Sequence, residues 1–86
     1  PLRSRWAKQL LHLARSYGVP CLTNGQEIRI GLHLAQEELA QLLGASRQRV
    51  NQELKAMERE EAIRIEPGGL VIRNRDALLH ISEADH

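Results

Sequence analysis

Apolar positions along the chain change spacing several times, and each spacing predicts an element. From Arg5 to Tyr17 they fall at Trp6, Ala7, Leu10, Leu11, Leu13, Ala14 and Tyr17, the stripe of an amphipathic helix. Gly18 and Pro20 end it. A polar loop with Thr23-Asn24-Gly25 follows, and Glu27-Ile28-Arg29-Ile30 alternates as a short strand. Gln36 to Leu43 predicts a second helix with Leu39, Ala40, Leu42 and Leu43 inward, stopped at Gly44. Ser46 is placed to cap a third helix, Arg47 to about Glu60, whose Val50, Leu54 and Met57 recur at i, i+4, i+7. Ala62-Ile63-Arg64-Ile65 and Leu70-Val71-Ile72-Arg73 flank the turn Glu66-Pro67-Gly68-Gly69, a hairpin by spacing and turn chemistry. Asn74 caps a last short helix, Arg75 to His80, with Ala77, Leu78 and Ile81 inward, and residues 81–86 are expected to fray.

The predicted order is helix, strand, helix, tight turn, helix, hairpin. Two helices joined by a short Gly-containing turn make a helix-turn-helix, and the hairpin after them is a wing. The fold class is therefore mainly α with a small antiparallel β wing, an α+β winged helix-turn-helix filling one domain over residues 1–86. With one Trp, one Tyr and no Phe, the core must be aliphatic.

Charge changes the picture by its distribution, since the formal net charge is only +1. Residues 1–24 carry Arg3, Arg5, Lys8 and Arg15 and no carboxylate, whereas 58–66 carry Glu58, Glu60, Glu61 and Glu66. With Val50, Leu54 and Met57 inward, the third helix turns Arg47, Gln48, Asn51, Gln52 and Lys55 outward. Arg can grip guanine O6 and N7, and Asn or Gln adenine N6 and N7. The bland reading of that face is solvated helix surface; the turn before it and the wing after it favour DNA readout. Arg3, Gln36, Ser46 and Arg49, at predicted helix starts, together with Lys55 and the side-chain-free Gly68 and Gly69, are candidate phosphate contacts. The two glycines equally suit a turn, and Arg49 equally suits a pair with Glu53.

Catalysis finds no support. His12, His33, His80 and His86 lack metal-ligand spacing, Glu37-Glu38 and Glu60-Glu61 diverge on helices, and Gly68-Gly69 lacks the lysine and helix of a phosphate loop. No metal site and no cofactor is expected in this domain. The lone Cys21 allows no internal disulfide and fits a reducing cytoplasm, and no membrane segment is predicted.

The stretch Glu37-Glu38-Leu39-Ala40 through Leu43-Gly44-Ala45-Ser46-Arg47-Gln48-Arg49-Val50 closely resembles the Crp/Fnr superfamily of bacterial transcription regulators. The similarity runs over roughly residues 3–78, from the first helix into the wing. It implies a C-terminal DNA-binding domain that normally follows a sensor domain and a long dimerisation helix, both absent from this chain. It implies palindromic duplex operators bound by a homodimeric parent, with a monomeric, weakly binding fragment here, and an effector that belongs to the sensor domain. The family's base-reading positions fall on Arg47, Gln48 and Gln52, and its phosphate positions on Arg3, Gln36, Ser46 and Arg49. In activators the loop corresponding to Cys21 to Gln26 touches RNA polymerase. Gln48 stands where Glu is common, Gln52 where some members have Arg, and Ala35 where a capping Thr or Ser is usual. An alternative use of the same fold is a winged-helix protein–protein interaction module, drawing on the acidic 58–66 stretch.

Overall fold

The computed structural model describes residues 2–83. Its elements are α1 (Leu2–Tyr17), β1 (Val19–Pro20), β2 (Ile28–Gly31), α2 (Leu32–Leu43), α3 (Arg47–Arg59), β3 (Ile63–Glu66), β4 (Gly69–Ile72) and α4 (Arg75–Glu83). The strands form one antiparallel sheet in the order β1-β2-β4-β3. The wing hairpin β3–β4 is therefore not isolated, because the strand before α2 inserts beside β4.

Aliphatic burial sets this arrangement, as the composition requires. Leu10 and Leu13 of α1, Ile30 of β2, Leu39 of α2, Val50, Leu54 and Met57 of α3, Ile63, Leu70 and Ile72 of the wing and Leu78 of α4 share one core with Trp6. The Trp6 Nε1–H is buried there with no acceptor among the described residues; a buried donor left so costs about 1–3 kcal/mol. Every residue of β4 is buried. Val71 points away from the helices, yet it lies in register between Arg29 and Arg64, whose long stems can cover it. Arg64 donates from Nη2 to Glu27 and from Nε to Glu66, both at 3.3 Å, and these bonds raise its guanidinium pKa above the ordinary value, the Glu27 bond most.

Turns occur where chemistry permits them. Gly44 closes α2 in the left-handed region (φ 61°), and the Gly44 and Ala45 N–H groups both return to Ala40 O. Ser46 Oγ then accepts from the Arg49 N–H at 3.1 Å, the expected cap of α3. Glu66 pairs with Gly69, so the wing turn is Pro67-Gly68, with Gly68 at φ 71°, as a Pro-Gly type II turn requires. Asn74 Oδ1 accepts from the Ala77 N–H at 3.0 Å and caps α4.

Several expectations need correction. The second helix begins at Leu32, not Gln36. β2 runs directly into it, and the Leu32 N–H is satisfied across the molecule by Gly68 O at 3.2 Å instead of by a side-chain cap. Ala35, expected at a capping position, is buried inside the helix, so no missing-cap penalty applies there. Leu42 and Tyr17, expected inward, are about half exposed. The expected fraying fails for residues 81–83, which belong to α4: Ile81 is half-buried, Ser82 buried, and α4 packs along α1. Residues 84–86 lie outside the described ones. The short β1 was not expected; its Val19 and Pro20 pair with Arg29 and Ile28 at the sheet edge, where Pro is tolerated.

At the other end of α3, Glu61 is the only described non-glycine residue at positive φ (64°), in the position that glycine favours after a helix. Glu61→Gly is expected to raise unfolding free energy by up to about 1 kcal/mol by relieving the left-handed penalty. Chemical denaturation checks it, and an unchanged or lower midpoint would contradict the strain argument. Ser46→Ala is expected to lose about 1 kcal/mol in the same experiment, since the Arg49 N–H loses its acceptor.

Candidate nucleic-acid interface

Burial of Val50, Leu54 and Met57 fixes how α3 is rotated about its axis. At 100° per residue, Arg47, Gln48, Asn51, Gln52 and Lys55 then occupy one arc of about 140° that starts beside the buried stripe at Arg47 and reaches the far side at Gln52. The structure bears this placement out: Arg47, Gln48, Gln52 and Lys55 are exposed and Asn51 is half-buried. They lie in the first nine residues of the helix, next to backbone N–H groups that no intrahelical carbonyl satisfies. Among the described residues, the side chains of Gln48, Gln52 and Lys55 make no hydrogen bond or ion pair and are open to a ligand.

Arg47 and Asn51 are instead tied to α2. Gln36 Nε2 donates to Asn51 Oδ1 at 2.8 Å, and Gln36 Oε1 accepts from Arg47 Nη2 at 3.1 Å. The same Nη2 lies 2.8 Å from His33 Nδ1, while His33 Nε2 lies 2.9 Å from Glu37 Oε1. A chain Glu37–His33–Arg47–Gln36–Asn51 thus crosses from the first turns of α2 to α3. The sequence pattern predicts Gln36 at a helix start. In the structure it is the fifth residue of α2, its N–H falls inside the helical ladder, and its side chain positions two base-reading candidates. His33 was overlooked. Its signal is the i, i+4 spacing to Glu37, visible only once the helix is begun at Leu32.

The phosphate candidates divide. Ser46 and Arg49 flank the N-terminus of α3; the Arg49 guanidinium is half exposed and pairs with Glu53 at 3.3 Å, the alternative weighed for it. Gly68 is exposed at the wing turn, and its carbonyl bond to Leu32 holds that turn beside the start of α2. Gly69 is not available to a phosphate, contrary to expectation: it is buried in β4, and a Cβ there would run into the Arg29 guanidinium. Arg3 is not brought to the cluster. It pairs with Glu60 beyond the last turn of α3, about 20 Å along the axis from Arg47.

The acidic 58–66 stretch is largely neutralised from within. Glu58 Oε2 accepts from the Ile65 N–H at 2.8 Å, Glu60 pairs with Arg3, and Glu66 pairs with Arg29 and Arg64. No described helix is long and apolar enough to cross a membrane. Cys21 is a free thiol in the loop between β1 and β2.

Comparison with known proteins places this geometry. Two curated relatives from two strains of Mycobacterium tuberculosis, each named a CRP-like cAMP-activated global transcriptional regulator, are 40% identical over 74 residues. The aligned part is 86% of this chain but 32% of theirs, so the chain spans about a third of their length. Two solved structures share the fold at 22% identity: CprK complexed with OCPA (TM-score 0.72, 94% of this chain and 38% of that one), and oxidized CprK with o-chlorophenolacetic acid (0.70, 93% and 32%). The profile of the Crp-like helix-turn-helix domain matches residues 4–81, nearly everything from the first turn of α1 to the last turns of α4. The chain belongs to that family of Crp-like helix-turn-helix domains.

Proposed function

We propose that this domain binds duplex DNA sequence-specifically as the DNA-binding part of a transcription regulator, with α3 in the major groove. The observation that supports it best is the single outward arc of Arg47, Gln48, Asn51, Gln52 and Lys55 within the first nine residues of α3, on a helix whose inward face is a fully buried stripe. In this reading Arg47, Gln48, Asn51 and Gln52 meet base edges, and Ser46, Arg49, Lys55 and the Gly68 turn meet phosphates. Gly69 drops out because it is covered, and Arg3 because it is spent on Glu60 at the wrong end of the helix. The names of the relatives support transcriptional regulation. Palindromic operators, a dimeric parent, a cytoplasmic setting and contact of loop 21–26 with RNA polymerase are further parts of the proposal. Leu22, fully exposed in that loop, would belong to such a contact. The protein–protein alternative is less favoured, because three of the four carboxylates it called upon, Glu58, Glu60 and Glu66, already have partners, while Glu61 stays exposed.

Two substitutions test this reading against duplexes selected by the protein from a randomised pool. Arg47→Ala is expected to weaken binding to the selected duplex by about 1–3 kcal/mol and relax preference at one base position. Equal loss on selected and random duplexes would sink the base-reading role. Lys55→Ala is expected to weaken binding uniformly across sequences and lower the slope of log affinity against log salt by about 1. A sequence-dependent loss with an unaltered slope would move Lys55 from phosphate to base.

A further inference from the structure

We infer that His33 is a positioning residue for Arg47: it controls, through its own protonation, whether the guanidinium can close on a guanine. The inference rests on the proposal that Arg47 reads a base.

Both ring nitrogens of His33 are engaged. Nε2 faces the Glu37 carboxylate at 2.9 Å and Nδ1 faces Arg47 Nη2 at 2.8 Å. A carboxylate offers no proton and a guanidinium accepts none, so the pairing demands a neutral ring that donates from Nε2 and accepts at Nδ1. Glu37 thereby fixes the tautomer that makes Nδ1 an acceptor. Gln36 Oε1 takes a second bond from the same Nη2 at 3.1 Å, giving its two hydrogens two acceptors.

That saturation matters for base reading. A guanidinium grips guanine O6 and N7 either end-on, through Nη1 and Nη2, or side-on, through Nε and Nη2. Nη2 belongs to both edges. While His33 and Gln36 hold it, neither edge is complete, and Arg47 has to give up at least one internal bond to read a guanine. Protonating His33 turns Nδ1 into a donor facing a cation, which breaks the Arg47 bond, and strengthens the Glu37 pair, which keeps the ring in place. Glu37 on its own helix and Arg47 on α3 face the ring; the elements packed against α2 also carry Lys55 on α3 and the Arg29–Glu66 pair on the sheet. Among the described residues, Glu37 and Arg47 are the polar partners of the ring. Its side chain is 72% exposed, so protons and DNA both reach it.

The test compares affinity for a selected duplex with that for the duplex altered at the guanine that Arg47 reads, between about pH 5.5 and pH 8 where imidazoles titrate. The ratio is the readout, because a protonated His33 near phosphates tightens binding to any duplex. On acidification the ratio is expected to rise about three- to tenfold, the net weight of one ordinary intramolecular hydrogen bond. In His33→Ala it is expected to be high and flat, the competitor being gone. In His33→Asn, with an oxygen near the place of Nδ1 and no titration, it is expected to be low and flat. A flat ratio in the unaltered protein, or the same pH slope in His33→Ala, overturns the role of His33. Arg47→Ala separates the two levels: if the guanine preference survives it, the base assignment fails, and if it disappears while His33→Ala changes nothing, only the positioning role fails.

Discussion

Everything this domain presents to a partner depends on how α3 is rolled. Three apolar side chains at i, i+4, i+7 are removed from water in a core that α3 closes against α2 and the wing, at about 1.5–3 kcal/mol each. Rolling the helix by one residue would expose part of that stripe and carry charged or amide groups into an aliphatic core, with a desolvation cost on top. The outward arc is therefore held by burial on the opposite side and needs no contacts of its own to stay in place. Rigid positioning of a polar face, with Gln48, Gln52 and Lys55 left unbonded, is what groove recognition demands.

Three local devices attach that helix to the rest. Gly44 and Ser46 make the turn before it, one by adopting a left-handed backbone and the other by accepting an orphan N–H. The wing turn is held at the start of α2 by the Leu32–Gly68 backbone bond, which continues the β2–β4 ladder and replaces the side chain cap that α2 lacks. The chain from Glu37 to Asn51 then couples the first turns of α2 and α3 through side chains alone. Unlike the core, that coupling is mostly exposed, and DNA competes with it directly. The buried stripe sets where α3 points, while the polar chain sets what Arg47 is free to do.

Charge follows the same division. The formal net charge is close to zero, yet most acidic groups near the wing and the end of α3 are matched by Arg3, Arg29 and Arg64. This leaves the first nine residues of α3 with Arg47 and Lys55 outward and Arg49 half compensated by Glu53. Local imbalance, not total charge, makes that surface suitable for a polyanion.

The sequence by itself determined the parts governed by near neighbours in the chain. The stripes of α1 and α3, the caps at Ser46 and Asn74, the Pro67-Gly68 turn and the outward set Arg47, Gln48, Asn51, Gln52 and Lys55 were legible, because period, capping and turn chemistry act within about one helical turn. Only the tertiary structure decided the rest. The start of α2 depends on a carbonyl 36 residues away in sequence, at Gly68, so local signals placed it four residues late and hid His33. Gly69 became unavailable because Arg29 comes from another strand to cover it, and Arg3 was spent because Glu60 arrives from the far end of α3. A residue's type shows which bonds it can make; which partner reaches it is set by packing between segments that the sequence keeps apart.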